Sequence, residues 1–162
     1  MSENETTQTT ETYEIWPIGH IRRDNGKTYL EILAPYAPAL KELEQFSHVQ
    51  VLWWASQFQD EMYRAMTQSE YAPYEAPVLG MFACRSPVRP NPIGLSTAKI
   101  LKVDHDEGVV EIAKIDAFDD TPVLDLKAYF PTCDRVQDVK VGTWAVEWGE
   151  WMPEEGLGLE DG

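Results

Sequence analysis

The chain has 162 residues, of which 43% are hydrophobic, and this length and composition fit one domain with a buried core. It contains no run of roughly 20 apolar residues and no basic, apolar leader, which argues against a membrane span and against secretion and favours a cytoplasmic protein. The net charge of −15 argues against a nucleic-acid partner, because phosphate binding normally needs a cationic surface.

Both ends of the chain are polar and acidic. Residues 1–14 consist mainly of Ser, Thr, Glu, Asn and Gln and are predicted to form a disordered acidic tail. Residues 149–162 are predicted to form a second acidic tail. Residues 15–148 contain most of the aromatic residues and are predicted to fold as one β-barrel domain.

Eight segments show the alternation or the β-branched and aromatic enrichment that is typical of strands. In chain order they are Tyr13–Ile21, Lys27–Leu33, Val49–Ala55, Leu79–Cys84, Thr97–Val103, Val109–Ile115, Val123–Tyr129 and Thr143–Trp148. Turn formers at Asp24-Asn25-Gly26 and Asp104–Gly108 predict antiparallel hairpins. Eight short strands with little helix favour a mainly β, single-domain antiparallel barrel, closed or nearly closed, because closure removes exposed edges.

Helix is predicted at one or two short segments only. Pro38–Phe46 has leucines on one face and a proline in its first turn, and Asp60–Met66 is a second possibility. The stretch Gln57–Pro77 has no clear period and suits a long excursion or lid. The chain shows no βαβ alternation and no Gly-x-Gly-x-x-Gly, which argues against a Rossmann-type methyltransferase and against a nicotinamide enzyme.

The segment Arg85–Ser96, RSPVRPNPIGLS, is the densest signal in the chain. It carries three prolines within six residues, and each proline holds the residue before it in an extended conformation. Such a loop costs little entropy to order on binding, and Gly94 permits close approach of the backbone. The polar side chains that it presents are Arg85, Ser86, Arg89 and Asn91. An alternative interpretation is a rigid surface turn whose arginines pair with nearby acids.

Charge is distributed unevenly. Residues 1–14 carry four acids and residues 147–162 carry six, which together account for ten of the fifteen net negative charges. Cys84–Lys102 contains four bases and no acid, a local patch suited to a carboxylate or a phosphate. Its bases are Arg85, Arg89, Lys99 and Lys102.

A second candidate site is the acidic turn Asp119-Asp120-Thr121-Pro122. Carboxylates in a turn can accept two ribose hydroxyls, although a turn that only caps and solvates the chain is the alternative. In the strand that follows, alternation predicts one polar and one apolar face. The polar face would carry Asp125, Lys127 and Tyr129, and the apolar face Leu124, Leu126 and Ala128.

The tryptophans, cysteines and histidines are the remaining candidates. Trp53 and Trp54 end an apolar strand, and because successive side chains alternate, one of the two rings is predicted to point outwards, where it is able to stack on a base. Cys84 and Cys133 are too few for a disulfide framework and match no zinc spacing, so two reduced thiols are predicted. The three histidines are scattered along the chain, and no metal site is expected.

Taken together, these segments resemble the TsaA-like (TrmO-type) family, whose characterised members are tRNA N6-threonylcarbamoyladenosine methyltransferases. The resemblance covers nearly the whole globular part of the chain. It is carried by PIGHIR at Pro17–Arg22, LEQFSHVQVLWW at Leu43–Trp54, FACRSPVRPNPIGLS at Phe82–Ser96 and DAFDDTPVLDLKAYFP at Asp116–Pro131.

The resemblance implies a β-barrel that forms a homodimer, binds S-adenosylmethionine in a cleft near the subunit interface and methylates tRNA. The implied cofactor-binding residues are Arg85, Leu95, Asp119, Asp120, Thr121 and Pro122, with Ser56 and Gln57 in the place of a family His-Gln pair. The implied substrate and active-site loop residues are Ser86, Arg89, Asn91, Lys127 and Tyr129. No catalytic base is implied, because positioning supplies much of the acceleration of a methyl transfer.

The chain departs from the family pattern at several points. Five residues join Ile21 to Lys27, where long members carry an extra segment with a Pro-Arg-Gln contact, and Asp120 stands where most members have Gly. After the barrel we expect no C-terminal domain of the kind that longer bacterial members append. Two alternatives therefore stay open, a methyltransferase acting on a small molecule and a non-catalytic module that binds S-adenosylmethionine.

Overall fold

The computed structural model describes residues 11–69 and 75–159. Most of the predicted tail at residues 1–14 lies outside the described residues, as do residues 70–74 of the predicted lid Gln57–Pro77 and residues 160–162 of the second predicted tail.

Within the described residues, six antiparallel strands close into one barrel, which confirms the predicted fold class. The strands of the barrel are β1 Gly19–Asp24, β2 Lys27–Ile32, β3 His48–Trp54, β6 Ile93–Asp104, β7 Val109–Ile112 and β8 Pro122–Ala128. Going round the barrel, the order is β1, β2, β7, β6, β3 and β8, and β8 pairs back with β1. A separate two-stranded sheet consists of β4 Gln68–Ser69 and β5 Leu79–Gly80.

Short helices lie between the strands and after β8. In the described residues, the α-helical turns are α1 Glu61–Arg64 and α2 Pro131–Asp134. The described 3-10 helices are Ala34–Leu40, Leu43–Gln45, Ser56–Phe58, Met81–Ala83 and Thr143–Trp148. In the part of the chain that the structure describes, no helix is long and apolar enough to cross a bilayer.

A tight turn sets the register of the first hairpin. Asn25 and Gly26 have φ values of 49° and 74°, and two consecutive positive φ values match the right-handed twist of the flanking strands. The pairing that follows brings Ile21 opposite Leu30, and both side chains are fully buried. The predicted turn therefore decides which side chains of β1 and β2 enter the core.

The core fills the barrel with aliphatic side chains from alternate strand positions. β3 shows the pattern most clearly, because Val49, Val51 and Trp53 are buried while the residues between them are partly exposed. The segment between β7 and β8 adds two further buried residues, Ile115 and Ala117.

The barrel closes along a short seam between β1 and β8. The seam consists of two residue pairs, Gly19 with Val123 and His20 with Pro122. A β-carbon at Gly19 would lie 2.2 Å from the carbonyl oxygen of Glu31, so only glycine fits where β1 meets both neighbours.

Three of the eight predicted strands differ in the structure. Thr143–Trp148 is a 3-10 helix, so that prediction was wrong; Val146 and Trp148 are exposed, and alternation without a core face does not produce a strand. The predicted strand Leu79–Cys84 ends at Gly80 and continues as a 3-10 helix, and the strand predicted from Tyr13 begins at Gly19. The other five lie in the barrel with shifted ends.

The predicted helix Pro38–Phe46 was wrong in type and extent. The structure has 3-10 helices at Ala34–Leu40 and Leu43–Gln45, separated at Glu42 by a left-handed φ of 72°. The backbone leaves helical geometry at Lys41, where ψ is 128°, and again at Glu42, so no continuous helix spans the predicted segment. The second predicted helix, Asp60–Met66, is confirmed as the single turn α1.

A β-bulge changes the predicted faces of β8. The pairing of β3 with β8 shifts between Leu52 and Trp53, so that Val123 and Leu126 both pack in the core although three positions separate them. Beyond the bulge, Leu126 and Ala128 lie opposite the buried valines of β3, and Asp125 and Lys127 lie on the outer face as predicted. Leu124 falls at the bulge and outside this regular alternation.

Candidate functional site

The register brings three of the predicted site segments to one end of the barrel. Trp53, near the end of β3, lies opposite Gly94 at the start of β6 and opposite Val123 at the start of β8. The segments that enter or leave the strands at this end are the proline loop Arg85–Pro92, the acidic turn Asp119–Pro122 and the 3-10 helix Ser56–Phe58. β3 lies between β6 and β8 in the barrel. The start of β6, which follows the proline loop, and the start of β8, which follows the acidic turn, therefore lie about 10 Å apart.

Arg89 holds the proline loop together from inside. Its guanidinium donates to the carbonyl oxygens of Met81, Cys84 and Ser86 at 3.2, 3.2 and 3.0 Å. The Ser86 hydroxyl accepts the N–H of Val88 at 3.1 Å. Arg89 and Ser86 therefore fix the shape of the loop. These internal contacts occupy much of the hydrogen-bonding capacity of the two side chains, which were predicted to bind a ligand.

Arg64 ties α1 to the proline loop. Its Nε donates to the carbonyl oxygen of Pro90 at 2.7 Å, and its terminal nitrogen donates to Oδ1 of Asn91 at 2.8 Å. The same guanidinium lies over the ring of Trp54, 5.7 Å from its centroid. Arg64 was not predicted from the sequence, because nothing in the local pattern links a residue of a short helix to a loop so far along the chain.

Arg85 is the exposed cation of the loop. One of its terminal nitrogens donates to the carbonyl oxygen of Leu95 at 3.2 Å, and the side chain is otherwise open to solvent. The Leu95 side chain is 40% exposed on the outer face of β6, and Ile93 lies two residues before it on the same face. Leu52 on β3 is paired with Leu95 and extends this apolar strip across the neighbouring strand.

A hydrogen-bonded relay runs from the core to the surface beneath the strip. The indole N–H of Trp53 donates to Oγ of Ser96 at 2.9 Å, and the Ser96 hydroxyl donates to Oδ1 of Asp116 at 2.5 Å. Trp53 points inwards and Trp54 lies partly exposed, with its N–H donating to Gln59 at 3.0 Å. The predicted division of the two tryptophans is confirmed.

The acidic turn is built against β1. Asp120 donates its N–H to the carbonyl oxygen of Ile21 at 2.8 Å and adopts a left-handed φ of 64°. Its carboxylate accepts from Arg22 at 2.5 Å, and Oδ1 of Asp119 accepts the backbone N–H of Arg23 at 2.8 Å. Asp119 and Asp120 are exposed, whereas Thr121 is buried and Pro122 is the first residue of β8.

Arg23 connects the turn to the segment that follows β7. Its guanidinium donates to the carbonyl oxygens of Ile115 and Ala117 at 2.6 and 2.8 Å. Arg22 is the last residue of the motif Pro17–Arg22 and Arg23 follows it, yet the sequence pattern did not indicate that their partners lie in the acidic turn and in the segment just before it.

Ser56 and Gln57 are exposed on the 3-10 helix that follows β3. The N–H of the preceding Ala55 donates to the carbonyl oxygen of Pro92 at 2.8 Å, which joins the start of this helix to the end of the proline loop. The structure thus brings Ser56 and Gln57 to the same end of the barrel as Arg85 and Leu95.

Lys127 lies near the far end of β8 and Tyr129 follows this strand, both away from the acidic turn. Lys127 donates to Asp125 at 2.9 Å, and this hydrogen bond, together with the carboxylate charge, raises the pKa of Lys127 above its ordinary value. A lysine held protonated in this way is not a general base. Tyr129 lies beside His48, at the opposite end of β3, with ring centroids 6.3 Å apart.

The assembled end of the barrel combines three chemical features. An exposed guanidinium lies beside an apolar strip, and exposed carboxylates lie on the far side of β3. This combination suits a ligand that has a carboxylate, a flat apolar part and sugar hydroxyls. Among the described residues, no cluster of acidic, histidine and cysteine side chains suits a metal ion, and Cys84 and Cys133 are free thiols.

Comparison with known proteins identifies a related family and related sequences. The model of the family described as the tRNA-methyltransferase O N-terminal domain matches residues 7–135. A probable S-adenosyl-L-methionine-binding protein from Archaeoglobus fulgidus is 34% identical over 113 residues, which cover 70% of this chain and 29% of that protein. A tRNA (adenine(37)-N6)-methyltransferase from Escherichia coli is 34% identical over 124 residues, covering 74% of this chain and 52% of that protein.

Solved structures agree with the sequence relatives. The crystal structure of TrmO from Pseudomonas aeruginosa superimposes with a TM-score of 0.62 at 31% identity, covering 82% of this chain and 63% of that chain. The present chain therefore spans less than two thirds of the length of each of these three proteins.

Proposed function

Because this chain belongs to the tRNA-methyltransferase O N-terminal domain family, we propose that it binds S-adenosylmethionine and transfers its methyl group to a modified adenosine in the tRNA anticodon loop. The observation that supports the proposal most directly is the meeting of Arg85 and Leu95 at the barrel end that also carries the acidic turn.

The side chains at this end fit the chemistry of the cofactor. Arg85 would bind the carboxylate of its methionine part, because a guanidinium offers paired donors in the geometry that a carboxylate accepts. Leu95 would pack against the apolar part of the nucleoside. Asp119 would accept a ribose hydroxyl, since only one of its oxygens is bonded to the backbone of Arg23. Thr121 and Pro122 would line the same side, and Ser56 and Gln57 would close the end.

When bound, S-adenosylmethionine supplies a methyl group activated by an adjacent sulfonium. The protein's part is to bind and orient both reactants and to exclude water, because aligned reactants convert a bimolecular step into an effectively unimolecular one. Arg89 and Arg64 serve this purpose by holding the proline loop in one conformation.

The proposed acceptor is the N6 atom of threonylcarbamoyladenosine, following the specificity of the family that the chain resembles. The proline loop residue Asn91 and the outer-face residues Lys127 and Tyr129 are the proposed contacts to the acceptor strand. Lys127 is exposed and charged, which suits a phosphate, and the Asn91 side chain is exposed beside Arg64.

Calorimetric titration with S-adenosylmethionine tests the cofactor site. The wild-type protein should give saturable heat, Arg85→Ala should lose it, and Arg135→Ala should keep it, because Arg135 is an exposed arginine that lies over Trp151 instead. Absence of binding by the wild type at millimolar cofactor would overturn the proposal. Transfer of a labelled methyl group to tRNA from cells that lack this protein then tests the acceptor.

A second candidate is a protein that binds S-adenosylmethionine without methylating RNA. It is favoured by the net charge of −15 and by the Archaeoglobus relative, which is named for binding alone. Labelled cofactor incubated with cell extract separates the possibilities. Label in tRNA supports the first proposal, label in a small molecule supports a small-molecule methyltransferase, and no turnover despite cofactor binding supports a non-catalytic module.

We also propose that the protein is a cytoplasmic homodimer. In each subunit, residues 15–148 would form the β-barrel domain between two acidic tails. Phe82 is 86% exposed and lies three residues before Arg85, so a partner subunit that covered it would reach the proposed cofactor site. Light scattering coupled to size exclusion tests the dimer. A monomer at micromolar concentration would contradict it.

A further inference from the structure

The outer face of β6 continues from the candidate site into a groove flanked by lysines. Leu95, Thr97 and Lys99 share this face, because the residues between them are buried. Lys99 lies about 13 Å along the strand from Leu95. The lysine groove beyond it has a volume of about 480 Å³ and is lined by Lys99, Leu101, Ala113 and Lys114, with Glu154 and Glu155 across the opening.

A segment near the end of the chain lies over this groove. We call Pro153–Leu159 the C-terminal strap. Gly156 closes a turn onto Pro153 with a φ of 82°, and the Leu159 N–H donates to the carbonyl oxygen of Ile115 at 3.3 Å. A β-carbon at Gly158 would lie 2.8 Å from the backbone nitrogen of Ile115. The glycine therefore allows the strap to contact the barrel backbone.

The strap places one carboxylate on each lysine. Glu154 lies 3.8 Å from Lys99, and Glu155 lies 3.4 Å from Lys114. The two carboxylates are 92% and 80% exposed, so water screens both pairs and neither holds the strap firmly. The two glutamates offset the charge of the lysines, but their side chains are easily displaced from the groove.

We propose that the lysine groove is a contact surface for the phosphodiester backbone of RNA, and that the C-terminal strap covers it until RNA displaces the two glutamates. This inference rests on the proposed RNA-methylating function. An RNA strand with a base at the candidate site would need a cationic track to continue along β6, and Lys99 and Lys114 lie on that path.

Competition between carboxylate and phosphate explains how an acidic chain would select RNA. The strap and the residues that follow it in the sequence, Glu160 and Asp161, form an acidic run that repels polyanions held only by charge. RNA that also binds at the barrel end makes enough contacts to displace the two glutamates from the lysines. The strap therefore favours the RNA that carries the target base over other anions.

A matched pair of double variants tests the strap. Glu154→Gln with Glu155→Gln removes both carboxylates from the lysines, and Glu147→Gln with Glu150→Gln removes the same charge from exposed residues that form no ion pair in the described part of the chain. Binding of unfractionated tRNA, followed by fluorescence anisotropy at low salt, should become roughly two- to fivefold tighter in the first variant only. An equal gain in both variants would overturn the proposal, since it would reflect net charge alone.

Salt dependence tests the groove itself. Lys99→Gln with Lys114→Gln should weaken tRNA binding and reduce the slope of log Kd against log salt by about 1.5, the contribution of two phosphate contacts. An unchanged slope would overturn the proposal that the lysine groove contacts RNA phosphates. Calorimetry of S-adenosylmethionine with the same variants should be unaffected. If no variant binds tRNA while cofactor binding persists, the RNA proposals fail together and the cofactor site stands.

Discussion

The indole ring of Trp53 occupies the space that a side chain at Gly94 would need: a β-carbon built on Gly94 would lie 2.1 Å from Cε2 of the ring. The two residues are directly paired between β3 and β6. This close approach explains why position 94, just after the proline loop, is a glycine. Because Gly94 lies between Ile93 and Leu95 of the apolar strip, the same contact fixes the strip against the core.

Gly94→Ala should therefore destabilise the protein by about 1–3 kcal/mol, because the indole ring must shift within a packed core. Urea denaturation followed by tryptophan fluorescence measures the loss. Gly80→Ala is the matched control, since nothing lies within 4 Å of a β-carbon there. Equal stability of the two variants would contradict this account of Gly94.

Ser96→Ala should cost about 1–3 kcal/mol by leaving the buried indole N–H of Trp53 without its acceptor. Asp116→Asn should cost less, because Asp116 is exposed and its amide oxygen still accepts from the Ser96 hydroxyl. Thermal unfolding of both variants measures the order. A larger loss of stability for Asp116→Asn than for Ser96→Ala would contradict this order and would show that Asp116 contributes more to the relay than the buried Trp53–Ser96 hydrogen bond.

Arg64→Ala should weaken S-adenosylmethionine binding several-fold with little change in unfolding temperature. The side chain is exposed, so its loss costs little stability, yet it fixes the proline loop through Pro90 and Asn91. Calorimetry and limited proteolysis of the loop measure the two effects. Arg64→Lys should restore little, because one ammonium cannot reproduce both guanidinium contacts and the stacking on Trp54. Full binding by Arg64→Ala would exclude a positioning role.

His48 should titrate below its ordinary pKa of 6.5 in the folded protein, because burial disfavours the charged ring and the charge of Lys99 adds to this effect. The unfolded chain then binds the proton more readily. The contribution of His48 to stability is therefore present above pH 6.5 and is lost as the pH falls below that value. NMR titration of the ring protons measures the pKa.

Lys99→Gln should raise the pKa of His48 towards its ordinary value, since it removes the neighbouring charge. The strap variant Glu154→Gln with Glu155→Gln should move the pKa the other way, because Lys99 loses the carboxylate that partly offsets its charge. A pKa of His48 that is indifferent to both changes would mean that burial alone sets it.

The barrel was predictable from the sequence because its information is local. The alternation in β3 and the turn at Asn25 and Gly26 specify strands and register within a few residues. The same reasoning failed at Thr143–Trp148, where similar alternation lacks a surface to bury it. It also failed at the bulge near Leu124, which depends on the pairing of β8 with β3 rather than on either strand alone.

The candidate site was predictable in part for a related reason. The proline loop and the acidic turn are recognisable as short strings, and motif order alone placed both in one family. The connections between elements were not predictable, because the partners of Arg64, Arg23 and Lys99 lie at distant points of the sequence. Sequence reasoning identified the parts of the site, and only the folded structure shows what holds each part in place.

The seam between Gly19 and Val123 also constrains how the protein acquires its structure. The paired residues are about a hundred positions apart, and contacts of such long range are slow to form because the intervening chain must first be ordered. The acidic turn also bonds to residues of β1 that lie about a hundred positions earlier in the chain. On the ribosome, the complete site therefore forms only after the turn has been synthesised, and a chain interrupted after β6 carries the proline loop without the acidic turn.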